Sequence, residues 1–512
     1  MYVGDYTGRR ALYSPDALAV IDAGVSPALR LTYAQLDARA NRLAHWLQAQ
    51  GVGRRDRVGI LAHNGVPHLD VLFACSKLGA IAVPYNWRLH WHEQVEVINE
   101  TGPKVLFYSE DFQKELVTAK VRIQPVQVYV ALEGEGLPGE WRYDAVLESQ
   151  EPTAIFAQDI EETDVLCLLF TGGTTGLPKG AQITHKQIAW NTLNTIIHDL
   201  THGDVTINVF PLFHTGGLFV YTVPLLILGG TVVLTRKFDP TQILELIEAE
   251  KVTVFAGVPT MFQMMTQSPR WKDSQLSSLR FCTSGGAPLP IPLVDQFQSE
   301  KGVRFKQGFG MTEWGPGCFA LAPEHALEKA GSIGRPNFFV AARVVDEQNQ
   351  PLPPGEVGEL VFKGPSGFSG YFENQKATAA AFDSQGWFHT GDMARCDEGQ
   401  FFYIVDRKKD MFISGGENVY PAEIEAVLYK HPAVAMCAVV GIPDARWGEV
   451  GIATVVLKSG MLATDADLLS WMRDRLARYK VPRAVVIRES LPISGAGKIL
   501  KRELRDEILV VK

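Results

Sequence analysis

Along the first two-thirds of the chain, segments with apolar residues at helical spacing alternate with short apolar runs typical of strands, and this alternation predicts a layered α/β fold. Between residues 32 and 50 the apolar positions recur at helical spacing, which puts them on one face of a helix. Thr32 and Gln35 form a capping-box pattern at its start, and Gly51 supplies a stop at its end. The apolar positions are Leu36, Ala40, Leu43 and Leu47.

Short apolar runs typical of strands alternate with helical segments such as Leu69–Lys77. Strands separated by helices indicate sheets that are largely parallel. The most apolar stretch, Phe219–Leu234, is broken by Pro224 and Gly229, so it predicts a buried helix, a turn and a strand rather than a membrane span. The predicted strands are Arg57–Ala62, Ile81–Pro84, Val105–Tyr108, Val126–Ala131, Val165–Phe170, Thr206–Pro211, Thr231–Thr235 and Val252–Phe255.

The pattern changes after about residue 330, where short strands lie between Gly- and Pro-rich turns. It predicts a small antiparallel β region that ends the large N-terminal domain at residue 406, followed by a smaller α+β domain from 410 to 512. The charged run 406–410 between them is typical of a solvated linker. The elements predicted here are Ala342–Val345, Val357–Phe362, Gln400–Val405, Pro421–Leu428, Val434–Val440, Ile452–Leu457, Asp465–Ala477 and Ala484–Ile487.

Composition narrows the class of protein. The 512 residues are 46% hydrophobic and 21% charged, as in folded soluble proteins. A net charge of −8 gives no general attraction to nucleic acid or anionic lipid. The N-terminus has no secretory apolar region, and the six cysteines are scattered without a CxxC pair. We therefore expect a cytoplasmic protein with no transmembrane segment.

The segment Thr171–Gly180, TGGTTGLPKG, is the first candidate for chemistry. It follows the buried strand Val165–Phe170 and combines flexible glycines, threonine hydroxyls and one lysine with no acidic residue. Backbone N–H groups in such a turn can surround an anion, so a polyphosphate fits it. A Walker A loop is excluded because Leu177-Pro178 interrupts the required spacing. A plain Gly-rich turn between strands remains the alternative from these residues alone.

Taken together, the motifs of the chain resemble those of the adenylate-forming superfamily, and in particular its acyl-CoA synthetases. The resemblance covers essentially the whole sequence, with the motifs in the family's order. They are TGGTTGLPKG at 171, PLFHTGG at 211, SGGAPL at 284, QGFGMTE at 307, WFHTGD at 387, DRKKDMFISGGENVYPAEIE at 406 and PISGAGKILKREL at 492.

The resemblance implies an ATP site spread over these motifs, with Thr312 and Glu313 as catalytic residues and Thr171 and Glu313 on the Mg²⁺ side. Phe309 stands where the family usually has Tyr, which keeps stacking on adenine but loses a phenolic hydrogen bond. Asp392 and Arg407 would contact the ribose and phosphate. The implied ATP-binding residues are Thr171, Gly172, Gly173, Thr174, Thr175, Gly176, Lys179, Gly285, Gly286, Ala287, Pro288, Gln307, Gly308, Phe309, Gly310, Met311, Thr312, Asp392, Arg407 and Lys498.

The resemblance also implies a mobile C-terminal domain. Lys498 would bridge the substrate carboxylate and the α-phosphate, where a cation lowers the repulsion between two anions. Ser494 stands nearby where the family often has Thr. Lys409, within residues 407–409, matches the hinge at which the domain rotates for the thiol step. The segment brought to the thiol would be Ser414, Gly415, Gly416 and Glu417.

The acid and the thiol acceptor are less defined. His214 stands where amino-acid-activating relatives have Asp, so an α-amino acid is not expected, although a lone histidine is also typical of a packed or capping residue. The implied acyl pocket is His214, Thr215, Gly216 and Val258, and its apolar surroundings favour a medium- or long-chain fatty, alicyclic or other apolar acid. An aryl acid is the alternative.

CoA is the expected acceptor because no carrier domain follows residue 512, while a carrier protein supplied in trans and a homodimer stay open. Luciferase-like oxidation is less favoured than transfer to CoA or to a carrier protein. Two other classes compete: a phosphotransferase, against which the missing Walker A and kinase loops argue, and a nucleotide-binding protein without activity, which would be expected to lack Glu313 or Lys498.

Overall fold

The computed structural model describes residues 3–171, 178–287, 289–415, 417–493 and 499–510. The chain divides into two compact units: Met1–Ala341 with Lys363–Gly386, and Ala342–Phe362 with Trp387–Lys512. The large and small domains of mixed α/β structure agree with the predicted fold class. This division assigns most of the small β region to the second unit, so it does not coincide with a boundary at 406. The hinge at 407–409 stays a prediction.

The helices and strands are numbered in chain order. The helices are α1 (Tyr6–Tyr13), α2 (Tyr33–Ala49), α3 (Val66–Leu78), α4 (Trp91–Thr101), α5 (Gln113–Ala119), α6 (Tyr143–Glu148), α7 (His185–Ile197), α8 (Thr215–Phe219), α9 (Thr222–Leu228), α10 (Pro240–Ala249), α11 (Pro259–Gln267), α12 (Ile291–Lys301), α13 (Gln375–Ala381), α14 (Pro421–Tyr429), α15 (Asp465–Arg473) and α16 (Lys501–Val510). The strands are β1 (Leu18–Asp22), β2 (Leu29–Thr32), β3 (Arg57–Leu61), β4 (Ile81–Pro84), β5 (Val105–Tyr108), β6 (Val128–Ala131), β7 (Trp141–Arg142), β8 (Val165–Thr171), β9 (Lys179–Thr184), β10 (Val205–Asn208), β11 (Thr231–Leu234), β12 (Val254–Gly257), β13 (Phe281–Ser284), β14 (Phe305–Gly310), β15 (Gly317–Leu321), β16 (Arg335–Pro336), β17 (Ala341–Val345), β18 (Gly358–Lys363), β19 (Phe388–Cys396), β20 (Phe402–Arg407), β21 (Phe412–Ser414), β22 (Glu417–Val419), β23 (Val434–Asp444), β24 (Gly448–Leu457) and β25 (Ala484–Ile487).

The first unit contains two mainly parallel sheets covered by helices. One has the strand order β16-β15-β14-β13-β12-β10-β11-β1-β2, and the other has β7-β6-β5-β3-β4-β8-β9. Antiparallel pairs lie toward the edges, where β2 joins β1, β15 joins β14 and β9 joins β8. The predicted α/β layering is therefore confirmed.

Helix α2 forms where the apolar pattern predicts it. The Thr32 hydroxyl accepts the Gln35 backbone N–H, and the Gln35 side chain accepts the Thr32 backbone N–H, so the predicted capping box is confirmed. The predicted apolar face is fully buried. The predicted strand Thr206–Pro211 instead ends at Asn208, because the Asn208 side chain bonds both backbone groups of Phe210 and turns the chain.

An aromatic core supports the central strands of the first sheet. Phe262 of α11 makes edge-on contacts with Phe255 of β12, Phe305 of β14 and Phe297 of α12, with ring centroids 4.8–5.7 Å apart. Close packing of this kind holds strands and helices in one arrangement. The cluster thus joins β12 and β14 to the helices α11 and α12.

The second unit is built on antiparallel strands. One sheet has the order β17-β18-β19-β20, which confirms the predicted small antiparallel region. The other has β22-β21-β24-β23, with β25 parallel to β24 and with α14 and α15 packed on its apolar face. Helix α15 ends at Arg473, before the predicted end at Ala477. In the described part of the chain no helix combines the length and apolar character that crossing a bilayer requires.

Candidate active site

Three neighbouring strands of the first unit end at the same edge of their sheet. Gly257 of β12 pairs with Ser284 of β13, and Ser284 pairs with Gln307 of β14. The segments that follow these residues therefore lie side by side, and they contain Val258, the SGGAPL motif and the QGFGMTE motif. In open α/β sheets this edge is the usual place for a ligand.

Backbone lines this edge closely. Gly286 has φ +78°, and a Cβ built on Gly285 would be 3.4 Å from the Gly308 carbonyl oxygen. Such a surface lets a planar ring approach main chain rather than side chains. The structure thus brings Gly285, Gly286, Gly308 and Val258 together, while Pro288 lies outside the described residues. Ala287, Met311 and the buried Gln307, whose Oε1 accepts the Leu289 N–H at 3.2 Å, lie on the same segments. Phe309 contacts Phe319 edge-on.

Gly310 is required by its neighbour across the β14–β15 turn. A Cβ there would lie 1.6 Å from the Pro316 carbonyl oxygen, a backbone atom that already accepts the Met311 N–H at 3.2 Å. Only glycine at 310 therefore allows the close approach of the two backbone segments that leads the chain into Thr312 and Glu313.

Gly310→Ala is expected to destabilise the protein by about 2–4 kcal/mol, because backbone must move to admit the methyl group. Urea unfolding of the wild type and the Gly310→Ala variant measures this change in stability. Gly203→Ala is the control, since a Cβ at Gly203 meets only the Thr201 hydroxyl at 4.0 Å. Equal stability of Gly310→Ala and Gly203→Ala would contradict the argument.

Glu313 is buried, with hydrogen bonds to its backbone carbonyl and to its carboxylate. Its backbone oxygen accepts the Phe368 N–H at 2.8 Å, and its Oε1 accepts the Tyr371 hydroxyl at 2.8 Å. Burial, and then the neighbouring Glu313 charge, raise the pKa of Tyr371, so the phenol keeps the proton that it donates. Glu313 is 8% exposed and forms no ion pair with any described residue.

The surroundings of Glu313 fit a divalent cation. A buried carboxylate without a countercharge is costly, and its hard oxygen atoms suit Mg²⁺. Thr312 is also buried and shares a short 3-10 turn with Glu313. Among the described residues no cluster of three or more His, Cys, Asp or Glu side chains is present, so a cation here would need ligands from a bound nucleotide or from water.

The stem of the phosphate loop stands beside Glu313. Thr171 pairs with Lys179 across the β8–β9 hairpin, and the Lys179 Nζ lies 5.1 Å from the centroid of the Tyr371 ring. Tyr371 also pairs with Ala181 of β9. The predicted positions Gly172, Gly173, Thr174, Thr175 and Gly176 lie outside the described residues.

His214 caps helix α8. Its Nδ1 accepts the Gly216 N–H at 3.0 Å, which is one of the two structural roles expected of a lone histidine. Asn64, which sequence reasoning missed, holds the segment before it by donating to the Phe210 carbonyl and accepting the Leu212 N–H. Thr215 is buried. The implied part of His214 in an acyl pocket stays a prediction.

A small cavity lies under α8 and α9. Its lining includes Thr206, Asn208, Phe210, Gly216 and Tyr221. The Thr206 hydroxyl is buried without a hydrogen-bond partner among the described residues. The Tyr221 hydroxyl meets the Thr283 hydroxyl at 2.6 Å, and sequence reasoning also missed this pair.

Within the second unit, Asp392 and Arg407 are neighbours across β19 and β20. Arg407 Nε lies 3.3 Å from Asp392 Oδ1, and Asp392 is buried while Arg407 is exposed. The carboxylate predicted to bind ribose is therefore held by the arginine predicted to act beside it. Lys409 is exposed two residues later.

The prediction of a solvated linker at 406–410 is wrong for Asp406. This carboxylate is 5% exposed and accepts the backbone N–H groups of Ala422 and Arg407, each at 2.7 Å. Burial raises the pKa of Asp406, while the charge of Lys501 opposes that shift. Lys501 also contacts Glu425 at 2.8 Å. The run is therefore anchored at its first residue.

The predicted thiol-side segment is a tight hairpin between β21 and β22. Ser414 pairs with Glu417, and Gly415 has φ +62° with its N–H donated to the Trp447 carbonyl at 2.8 Å. Ser414 is buried and Glu417 exposed, while Gly416 lies outside the described residues. Lys498 also lies outside them; the residues on either side of its segment, Ile493 and Ile499, form an antiparallel bridge.

Family models match both parts of the chain. Residues 8–372 match the AMP-binding enzyme family, and residues 423–498 match the AMP-binding enzyme C-terminal domain.

Individual proteins match over nearly the full length. Feruloyl-CoA synthase of an Amycolatopsis species is 43% identical over 504 residues, covering 98% of each chain. The long-chain-fatty-acid–CoA ligase FadD13 of Mycobacterium tuberculosis is 35% identical over 511 residues, covering 99% of this chain and 98% of the relative. The crystal structure of ATP-bound MatB from Rhodopseudomonas palustris superposes with a TM-score of 0.91 at 30% identity, covering 100% of both chains.

Proposed function

The chain belongs to the AMP-binding enzyme family and is an acid–thiol ligase, and from that premise we propose that it is an ATP-dependent acyl-CoA synthetase whose substrate is a carboxylic acid with an uncharged organic tail. The acid is converted first to an acyl adenylate and then to an acyl-CoA thioester. The observation that carries the proposal is the common sheet edge of β12, β13 and β14, where a glycine-lined surface leads into the buried Glu313.

In the first half-reaction a carboxylate oxygen attacks the α-phosphorus of ATP, and the bond to the β-phosphate oxygen breaks to release pyrophosphate. The acid is ionised near neutral pH, so no general base is needed. The protein's task is to orient two anions and to offset their charge. Thr312, Lys179 and Lys498 are the residues proposed for that task.

The surroundings of Glu313 support Mg²⁺ as the companion of ATP, with Glu313 as its protein ligand and Thr171 on the same side. When bound, the cation supplies positive charge to the phosphates. In the second half-reaction the sulfur of CoA attacks the acyl carbonyl carbon and gives its proton to solvent, and the bond from that carbon to the phosphate oxygen breaks to release AMP. Asp392 and Arg407 are proposed to hold the ribose and phosphate of the nucleotide.

For the acid, we favour an aryl or arylalkyl tail with a polar substituent over a long alkyl chain. A small cavity beside Gly216 is lined by the polar residues Thr206, Asn208 and Tyr221, which could meet a polar substituent but gain nothing from an alkyl chain. A relative named feruloyl-CoA synthase, at 43% identity, supports the same class. A fatty acid is the competing substrate, and FadD13 supports it.

With ATP, Mg²⁺ and CoA, pyrophosphate release should depend on the acid, with AMP as the nucleotide product. Hydroxyaryl acids should exceed medium- and long-chain fatty acids by at least about 10-fold in kcat/KM, because hydrogen-bonding groups in a pocket discriminate against tails without them. A panel of acids with CoA, with a carrier protein and with neither acceptor measures this. ADP formation would identify a phosphotransferase, and nucleotide binding without any acid-dependent turnover would refute the synthetase.

A further inference from the structure

Tyr371 makes three contacts that connect two parts of the first unit, strand β9 and the turn that contains Glu313. Its hydroxyl donates to Glu313 Oε1 at 2.8 Å, its ring lies under the Lys179 ammonium at 5.1 Å, and its backbone pairs with Ala181 of β9. Tyr371 therefore touches both the stem of the phosphate loop and the carboxylate proposed for the cation.

We propose that Tyr371 is a positioning residue that holds the Glu313 carboxylate in the orientation that binds the divalent cation of the ATP complex. The proposal rests on the proposed function. It assigns a task to a residue outside the motif that contains Glu313, and that residue reaches Glu313 only through the fold.

The Tyr371 side chain is itself firmly held, as a positioning residue must be. The Tyr371 N–H donates to the Thr378 hydroxyl at 2.9 Å, and that hydroxyl donates to the Asn374 carbonyl at 2.9 Å. The Phe368 ring contacts the Tyr371 ring edge-on at 4.8 Å. The phenol thus has little freedom to follow a moving carboxylate.

The hydrogen bond restricts Glu313 in two ways. It occupies one lone pair of Oε1 and fixes the rotation of the carboxylate, which leaves Oε2 and the other Oε1 lone pair for a cation. Without this hydrogen bond, the carboxylate could rotate about its last side-chain bond. Groups that orient a metal ligand in this way typically change metal affinity by 10–100-fold when they are lost.

Tyr371→Phe tests the hydroxyl alone, because the ring keeps its contacts with Phe368 and Lys179. We expect the Mg²⁺ concentration for half-maximal thermal stabilisation by ATP to rise by about 10-fold. ATP binding in EDTA should stay unchanged. In pyrophosphate release, the same rise in Mg²⁺ requirement should appear, with activity largely rescued at saturating Mg²⁺.

Tyr85→Phe is the matched control, since it removes a buried phenol that bonds the Thr101 hydroxyl at 2.6 Å, in the other sheet. It should leave the Mg²⁺ requirement unchanged. A Tyr371→Phe variant with an unaltered Mg²⁺ requirement, or an equal shift in Tyr85→Phe, would overturn the proposal. So would wild-type protein whose stabilisation by ATP is independent of Mg²⁺.

The thermal measurement needs no turnover, so it separates the two proposals. If the wild type binds Mg²⁺ and ATP but activates no acid, the proposed function fails while the role of Tyr371 in cation binding is still decided by the two variants.

Discussion

Replacing Lys498 with alanine is expected to lower the rate of acyl-adenylate formation by roughly 10²–10³-fold, the usual cost of removing one preorganised group that stabilises developing charge. Two anions, the acid and the α-phosphate, must meet in this step, and a cation between them reduces their repulsion. The thiol step does not bring these anions together. CoA thioester formation from supplied acyl adenylate should therefore fall by less than about 3-fold, the range of an uninvolved surface residue.

The fold gives reason to expect that Lys498→Ala leaves the second unit intact. Ile493 and Ile499, the described residues on either side of Lys498, form a backbone bridge, and the Leu500 N–H donates to the Pro492 carbonyl at 2.9 Å. Neither contact uses the lysine side chain. Acid-dependent pyrophosphate exchange measures the first step, with Lys458→Ala, an exposed lysine of the same unit, as the control. Equal loss in both half-reactions would contradict the assignment.

Much of the fold follows from local sequence signals. Helix α2 and strands β4, β5 and β25 have the predicted character, because strong apolar periodicity and clear stop residues are encoded within a few positions. The end of β10 could not be predicted from the apolar pattern, since it depends on the Asn208 side chain bonding the backbone of Phe210. A propensity pattern contains no such information.

The candidate site shows the same division. Glu313 could be singled out because a motif surrounds it, but Tyr371 comes 58 residues later and reaches it only through the packing of β9 against the segment 368–372. Asp406 illustrates the opposite case. A charged run predicts solvent exposure, yet Asp406 is buried. The Ala422 N–H at the N-terminus of α14 and the charge of Lys501 stabilise its carboxylate there.

Replacing Lys409 with proline should spare acyl-adenylate formation and lower thioester formation by at least about 10²-fold. The Asp410 and Met411 N–H groups both donate to the Arg407 carbonyl, so Lys409 lies inside a tight turn directly after β20. Proline fixes φ near −65° and restricts the preceding residue, which removes the backbone freedom that a hinge needs. A domain rotation between the two steps would then be blocked, as hinge mutations act on conformational steps rather than on chemistry.

Lys409→Ala separates the side chain from the backbone. It keeps the freedom of φ while it removes the ammonium, so both half-reactions should stay within about 3-fold of the wild type. Pyrophosphate exchange and CoA consumption, each measured on all three proteins together with their melting temperatures, test this. Equal loss of both half-reactions in a stably folded Lys409→Pro variant, or a loss of thioester formation in Lys409→Ala as large as in the proline variant, would show that the backbone at this position is not the hinge.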